Sequence, residues 1–133
     1  MRTNLMDVTF LVIVKFDSIE RLENTIHLVE YLDRHFETNI VVREYACWNN
    51  GVLQKILSKK IHYQFIKDLD PILHRTKYLN SMIDQVQTEY VSVWDVDVII
   101  SKEQIVKAID YLRNGTDVVY PYNCFYDTTD YIR

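Results

Sequence analysis

The hydrophobic positions of this chain fall into two textures that alternate along its length. Asp7 to Phe16 is a nearly unbroken apolar, β-branched run, the pattern of a strand buried on both faces. Asp17-Ser18-Ile19-Glu20 places a side-chain acceptor at a helix start with a glutamate three residues on. Ile19, Leu22, Ile26, Val29, Leu32 and Phe36 follow at helical spacing, which predicts an amphipathic helix over Ser18 to Phe36. Thr38-Asn39 ends it, and Ile40 to Ala46 is a second strand. Asn49-Asn50-Gly51 marks a turn, Val52 to Ser58 a short helix, and Ile61 to Ile66 a third strand closed by Lys67-Asp68-Leu69-Asp70-Pro71. From Ile72 to Gln87, Leu73, Leu79, Met82, Ile83 and Val86 define the inward face of another helix.

A central stretch, Tyr90 to Ile100, reads as a buried fourth strand that carries Asp95 and Asp97. Ser101 to Gln104 is a capping box that opens a helix through Leu112, with Ile105, Ala108, Ile109 and Leu112 inward. Asn114-Gly115 stops it, and Asp117 to Pro121 is expected as a fifth strand before a polar-aromatic tail. Strand and helix alternate throughout, which calls for parallel strands joined by helical crossovers. The expected fold is therefore an α/β three-layer sandwich around a mostly parallel sheet, in one domain with no repeat or linker.

In such sheets ligands bind beyond the carboxyl ends of the strands. Glu44, Asp68, Asp95 and Asp97 all fall at or just past expected strand ends, so that edge is acidic. Asp95 and Asp97 at spacing i, i+2 on an extended chain point the same way, with Val96 and Val98 opposite. Two unpaired carboxylates ending an apolar run are costly, and a divalent cation between them removes the cost. The competing reading is a solvated turn in which the strand has simply ended.

Composition narrows the chemistry further. With only two glycines, Gly51 and Gly115, the chain has neither a dinucleotide fingerprint nor a P-loop. A phosphate here must be held by a metal or by side chains such as Arg75 and Lys77. The net charge of -4 argues against a nucleic-acid surface, and no apolar run reaches the length of a membrane span. Two cysteines, Cys47 and Cys124, make no disulfide framework, so a cytoplasmic setting is expected. Asn114-Gly115-Thr116 matches a glycosylation sequon but without a secretory signal reads as a turn. His27, His35 and His62 show no ligand spacing, while His74 neighbours Arg75. Trp94, opposite in phase to Asp95, is expected in the core.

The order of these pieces resembles the nucleotide-sugar-binding, N-terminal part of a family 2 type glycosyltransferase of the GT-A fold. The resemblance covers roughly Val8 to Tyr122. It rests on the first strand and long helix, on Ile40-Val41-Val42-Arg43-Glu44, on His74-Arg75-Thr76-Lys77-Tyr78-Leu79-Asn80, on Glu89 to Asp97, and on Asp117 to Tyr122. It implies that the Asp-x-Asp pair holds manganese or magnesium against the diphosphate of a nucleotide-sugar, Asp97 as direct ligand and Asp95 on the ribose or the metal shell. It further implies that Glu44 meets the nucleobase, that Arg75 lies near the nucleotide, and that Phe16-Asp17 offers backbone contacts to the nucleoside. UDP-sugar is the commonest donor in the family, a glycan the acceptor, and bacterial surface polysaccharide synthesis the implied setting. Arg43-Glu44-Tyr45 and Cys47-Trp48-Asn49 depart from the acidic pair and glycine-serine turn usual there.

Only 36 residues follow Asp97, and Asp127 and Asp130 are the sole carboxylates of the tail, so no catalytic base is assigned. The expectation is a part of a longer enzyme. Two rivals stand beside it. One is a non-catalytic α/β module that has kept the fold and lost the chemistry. The other is a haloacid-dehalogenase-like phosphatase, in which Asp95 would be the nucleophile and Asp97 the acid/base; its motif normally opens the fold, whereas this one arrives on the fourth strand.

Overall fold

A computed structural model describes residues 2–15, 18–72 and 74–122. The tail carboxylates Asp127 and Asp130, Cys124, and the Phe16-Asp17 pair lie outside the described residues, as does Leu73. The chain divides into two compact units, Met1–Val98 and Ile99–Arg133.

The first unit is α/β. Its strands are β1 (Thr3–Val14), β2 (Phe36–Ala46), β3 (His62–Lys67) and β4 (Tyr90–Trp94), and its helices are α1 (Ile19–His35), α2 (Val52–Ile56) and α3 (Arg75–Ile83). All strand pairings are parallel, in the order β3-β2-β1-β4. β1 is paired on both sides, and its last seven residues, Val8 to Val14, are all buried. From β1 the chain steps to β2 and β3 on one side, then returns past β1 to place β4 on the other. Right-handed crossovers therefore put α1 and α2 on one face and α3 on the opposite one.

Alternation along the strands sorts the side chains between these faces. Leu11, Ile13 and Tyr45 form a cluster with Met82 of α3, joined by Val41, Tyr78, Leu79 and Val91. Phe10 belongs to the other face, where it stacks on Phe36 at 6.3 Å between ring centroids and meets Trp94 at 5.9 Å. Trp94 is a core residue, as its phase requires, and its indole N–H donates to the Val98 carbonyl at 2.7 Å.

Several boundaries differ from the periodicity. β1 begins at Thr3, four residues early, because Thr3 to Leu5 pair with Phe36 to Thr38 ahead of a register shift. α1 stops at His35, and Phe36 caps it while opening β2, so no loop intervenes. The α1 stripe is also rotated: Thr25, Leu28, Val29 and Leu32 are buried, whereas Ile19 is 71% exposed. β4 covers Tyr90–Trp94, as the pattern places it, but at the sheet edge with Val93 exposed instead of as a buried run through Ile100.

The second unit contains α4 (Lys102–Arg113), with Ile105, Ala108 and Ile109 buried. Ser101 caps it, its Oγ accepting from the Gln104 N–H at 3.3 Å. The expected fifth strand over Asp117 to Pro121 is not formed. Val118 and Tyr120 are exposed, and among the described residues the unit holds no other strand to pair with them. Cys47 is a free, exposed thiol. No helix of the described residues is long and apolar enough to cross a membrane.

Candidate functional site

Open parallel sheets bind ligands where the strand order reverses, beyond the carboxyl ends. Here that point lies between β1 and β4, because β2 and β3 follow on one side of β1 and β4 is added on the other. The residues gathered around this edge come from the ends of β1, β3 and β4 and from the start of α3.

β4 delivers Asp95 one residue past its end. The backbone then turns, the Val98 N–H bonding to the Asp95 carbonyl at 3.2 Å. Asp95 and Asp97 are thus set on a turn, not on the extended strand expected from the pattern, yet the alternation of burial persists. Trp94 and Val96 are buried while both aspartates are exposed. Arg75, the first residue of α3, reaches Asp95 with Nη2 2.9 Å from Oδ1. Both side chains are over a third exposed, so the pair adds at most about 1 kcal/mol to stability. Its consequence is positional: it holds a guanidinium fork beside the turn that carries Asp97.

Next to this pair, the segment after β3 is tied down by its own aspartates. The Asp70 N–H donates to Asp68 Oδ1 at 3.0 Å and the Ile72 N–H to Asp70 Oδ1 at 2.9 Å. His74 Nε2 lies 2.6 Å from Asp70 Oδ2, and Lys15, just past β1, donates to the Asp70 carbonyl. Tyr78 donates its hydroxyl to Asp68 while its ring stacks on Tyr45, 3.9 Å between centroids and 13° between planes. The Tyr78 hydrogen bond holds the Asp68 carboxyl below its ordinary range. The Ile72 amide, and then His74, do the same for Asp70. Tyr78 in turn is pushed up to about 12, chiefly by donating to Asp68.

Of the residues singled out from sequence, Arg75 and Asp95 are brought together and Asp97 lies two residues on, exposed. Glu44 is not part of this group. Alternation sends it to the sheet face away from α3, where it is buried and accepts the Tyr63 hydroxyl at 2.7 Å. Burial and that hydrogen bond raise the Tyr63 pKa. Lys77 is exposed on α3.

Sequence reasoning missed Lys15 and Tyr78. The Asp70, His74, Tyr78 spacing of four and four was the available signal, since it sets three polar groups along one line from loop into helix. It also missed Arg43, which is buried on the α3 face instead of serving as a strand-end neighbour of Glu44.

Two exposed aspartate carboxylates supply hard oxygen ligands of the kind magnesium and manganese take. Among the described residues no group of three or more His, Cys, Asp or Glu side chains converges as a metal cage. Both carboxylates are open to solvent, so an ion held by them would take the rest of its coordination from a bound phosphate or from water. No known family model matches the chain, and no curated protein matches its sequence.

Proposed function

We propose that this chain is the donor-binding part of a glycosyltransferase with a GT-A-like fold, gripping a nucleotide-diphosphate sugar, of which UDP-sugar is the expected form, for transfer to a glycan. The observation that carries the reading is the Arg75–Asp95 pair just beyond β4, beside the reversal of strand order, with Asp97 exposed on the following turn. Asp97 and Asp95 would hold manganese or magnesium. When bound, the ion supplies a Lewis acid that offsets charge on the departing nucleoside diphosphate.

The chain's own residues account for the rest. Arg75 presents a planar fork matched to phosphate oxygens, and its exposed pairing with Asp95 can be exchanged for a phosphate at little cost. The tied segment from Asp68 to His74 fixes the start of α3 and hence the direction of Arg75. Tyr78, stacked on Tyr45, anchors the same helix from below. Glu44, buried against Tyr63, supports β2 in this arrangement.

The test is thermal stabilisation by uridine diphosphate with manganese. Ligand at a hundredfold excess over its dissociation constant adds about 2.7 kcal/mol by mass action, so a rise in Tm is expected only when both are present. Asp97→Ala should abolish the rise while keeping the unliganded Tm, because Asp97 is exposed. Arg75→Ala should weaken the nucleotide effect and leave the manganese requirement. No shift at millimolar nucleotide with manganese defeats the proposal.

A further inference from the structure

A pocket lies at the opposite, amino edge of the sheet, on the α3 face. It measures about 310 Å³, enough for a small ligand, and its walls include Arg43, Lys60, His62, Gln64 and Gln85. No aspartate or glutamate lines it, among the described residues, although the chain as a whole is acidic.

Arg43 is its central feature. The residue is 3% exposed, and a guanidinium keeps its charge at any physiological pH. All its partners are neutral. Nε donates to Gln64 Oε1 at 2.7 Å, Nη1 to Ser81 Oγ at 3.3 Å and to the Tyr45 hydroxyl at 3.5 Å, and Nη2 to Gln85 Oε1 at 2.9 Å. These four contacts leave one of the five guanidinium N–H groups over, on Nη2. Buried charges are ordinarily paired with an opposite charge, because hydrogen bonds alone do not replace lost hydration. The carboxyl end of α3 and its C-cap Asp84 carry negative charge beyond the walls, while among the lining side chains Arg43 and Lys60 form a positive excess.

The neighbouring groups are arranged around that excess. Gln64 accepts from Arg43 through Oε1, while its Nε2 lies 3.0 Å from His62 Nε2 and 3.5 Å from Gln85 Oε1. One amide therefore ties the buried arginine to the two side chains flanking it. Register explains the convergence: Val41 pairs with His62 and Arg43 with Gln64, so all four side chains leave the same face.

We propose that this amino-edge pocket binds a small oxyanion, a carboxylate or phosphate group carried by a low-molecular-weight ligand, with Arg43 as counter-charge and Lys60 at the rim. The site is separate from the Asp95–Asp97 edge and does not depend on the function proposed for it.

The test is a titration of the whole chain with inorganic phosphate and, separately, with acetate, followed by the Nε–H resonance of Arg43 and the side-chain amides of Gln64 and Gln85. Saturable shifts at these three groups are expected, with the indole resonance of Trp94 unmoved. Saturation by phosphate alone assigns the ligand as a phosphate; saturation by both assigns a general oxyanion site. Replacing Lys60 and His62 together by alanine should weaken binding about fivefold, as loss of a rim charge does. Both residues are exposed, so this variant should fold even where Arg43→Gln does not. Asp97→Ala should bind the anion unchanged. Shifts that grow linearly without saturating, or an identical titration of the double variant, overturn the proposal.

Discussion

Tyr78 and Asp68 state opposite halves of one interaction, and both halves can be titrated. The hydroxyl donates to a carboxylate, so the pair is favoured only while Tyr78 is neutral and Asp68 ionised. Tyr78 is raised to about 12, above an ordinary value of about 10, so its share of the stabilisation is complete below the ordinary value and disappears as pH rises through about 12. Asp68 is depressed, so its share is present above the ordinary carboxylate range near about 3.9 and disappears as pH falls through the lowered value. The contact should thus hold across the whole neutral range. A difference absorbance titration of wild type against Tyr78→Phe isolates this hydroxyl from the other tyrosines. Its midpoint should lie near 12 and fall towards about 10 in Asp68→Asn. A midpoint indifferent to Asp68→Asn would mean the hydroxyl points elsewhere. None of this was readable from order alone, since Asp68 and Tyr78 meet only because α3 folds back over Tyr45. Arg75 and Asp95 were readable as separate candidates, and their 2.9 Å contact required the fold.

At the scale of elements, periodicity identified every strand and helix among the described residues, and erred where a neighbour sets the boundary. The sixteen-residue span over Ile72 to Gln87 shortens to α3, Arg75–Ile83, because Ile72 follows the aspartate turns and Val86 follows the helix end. Thr3 to Leu5 join β1 only because β2 starts early enough to pair with them. Asp117 to Pro121 has strand composition without a partner, and β-propensity alone does not sustain a strand. The α1 start offers a direct test of such local assignments. The sequence pattern favoured Asp17 as cap, whereas the Ser18 Oγ accepts from the Arg21 N–H at 3.2 Å. Ser18→Ala should lower unfolding free energy by about 1 kcal/mol, and Ser18→Asp should restore it. Equal stability of Ser18→Ala and wild type in urea, with loss on Asp17→Ala, would return the cap to Asp17.

Across the first unit, the parallel order β3-β2-β1-β4 ties candidate site and core to the same strand. β1 is paired on both sides, and the reversal of strand order beside it lies at the edge that Asp95 and Arg75 border. The alternation of textures made the parallel α/β class legible, because only crossovers can return a helix-linked chain to the same sheet edge. It did not reveal which strand is central, since burial on both faces looks alike in β1 and in any other inner strand. Phe10 shows why that position matters. It is fully buried, stacks on Phe36 at the head of β2, and meets Trp94 at the end of β4, so one ring bridges three strands. Its removal leaves a void between partners held by the sheet's hydrogen bonds, which cannot collapse to fill it. Phe10→Ala should therefore cost about 3–5 kcal/mol, near the full range for a large-to-small core change. Urea unfolding followed by tryptophan fluorescence measures this and also reads the site, because Trp94 sits immediately before Asp95. If the bridge sets the end of β4, a milder Phe10→Leu should retain the fold yet weaken nucleotide-dependent stabilisation along with the Trp94 environment. A variant that loses stability while its Trp94 emission and nucleotide response stay unchanged would separate the core from the site, and would place control of the Asp95 turn in α3 alone.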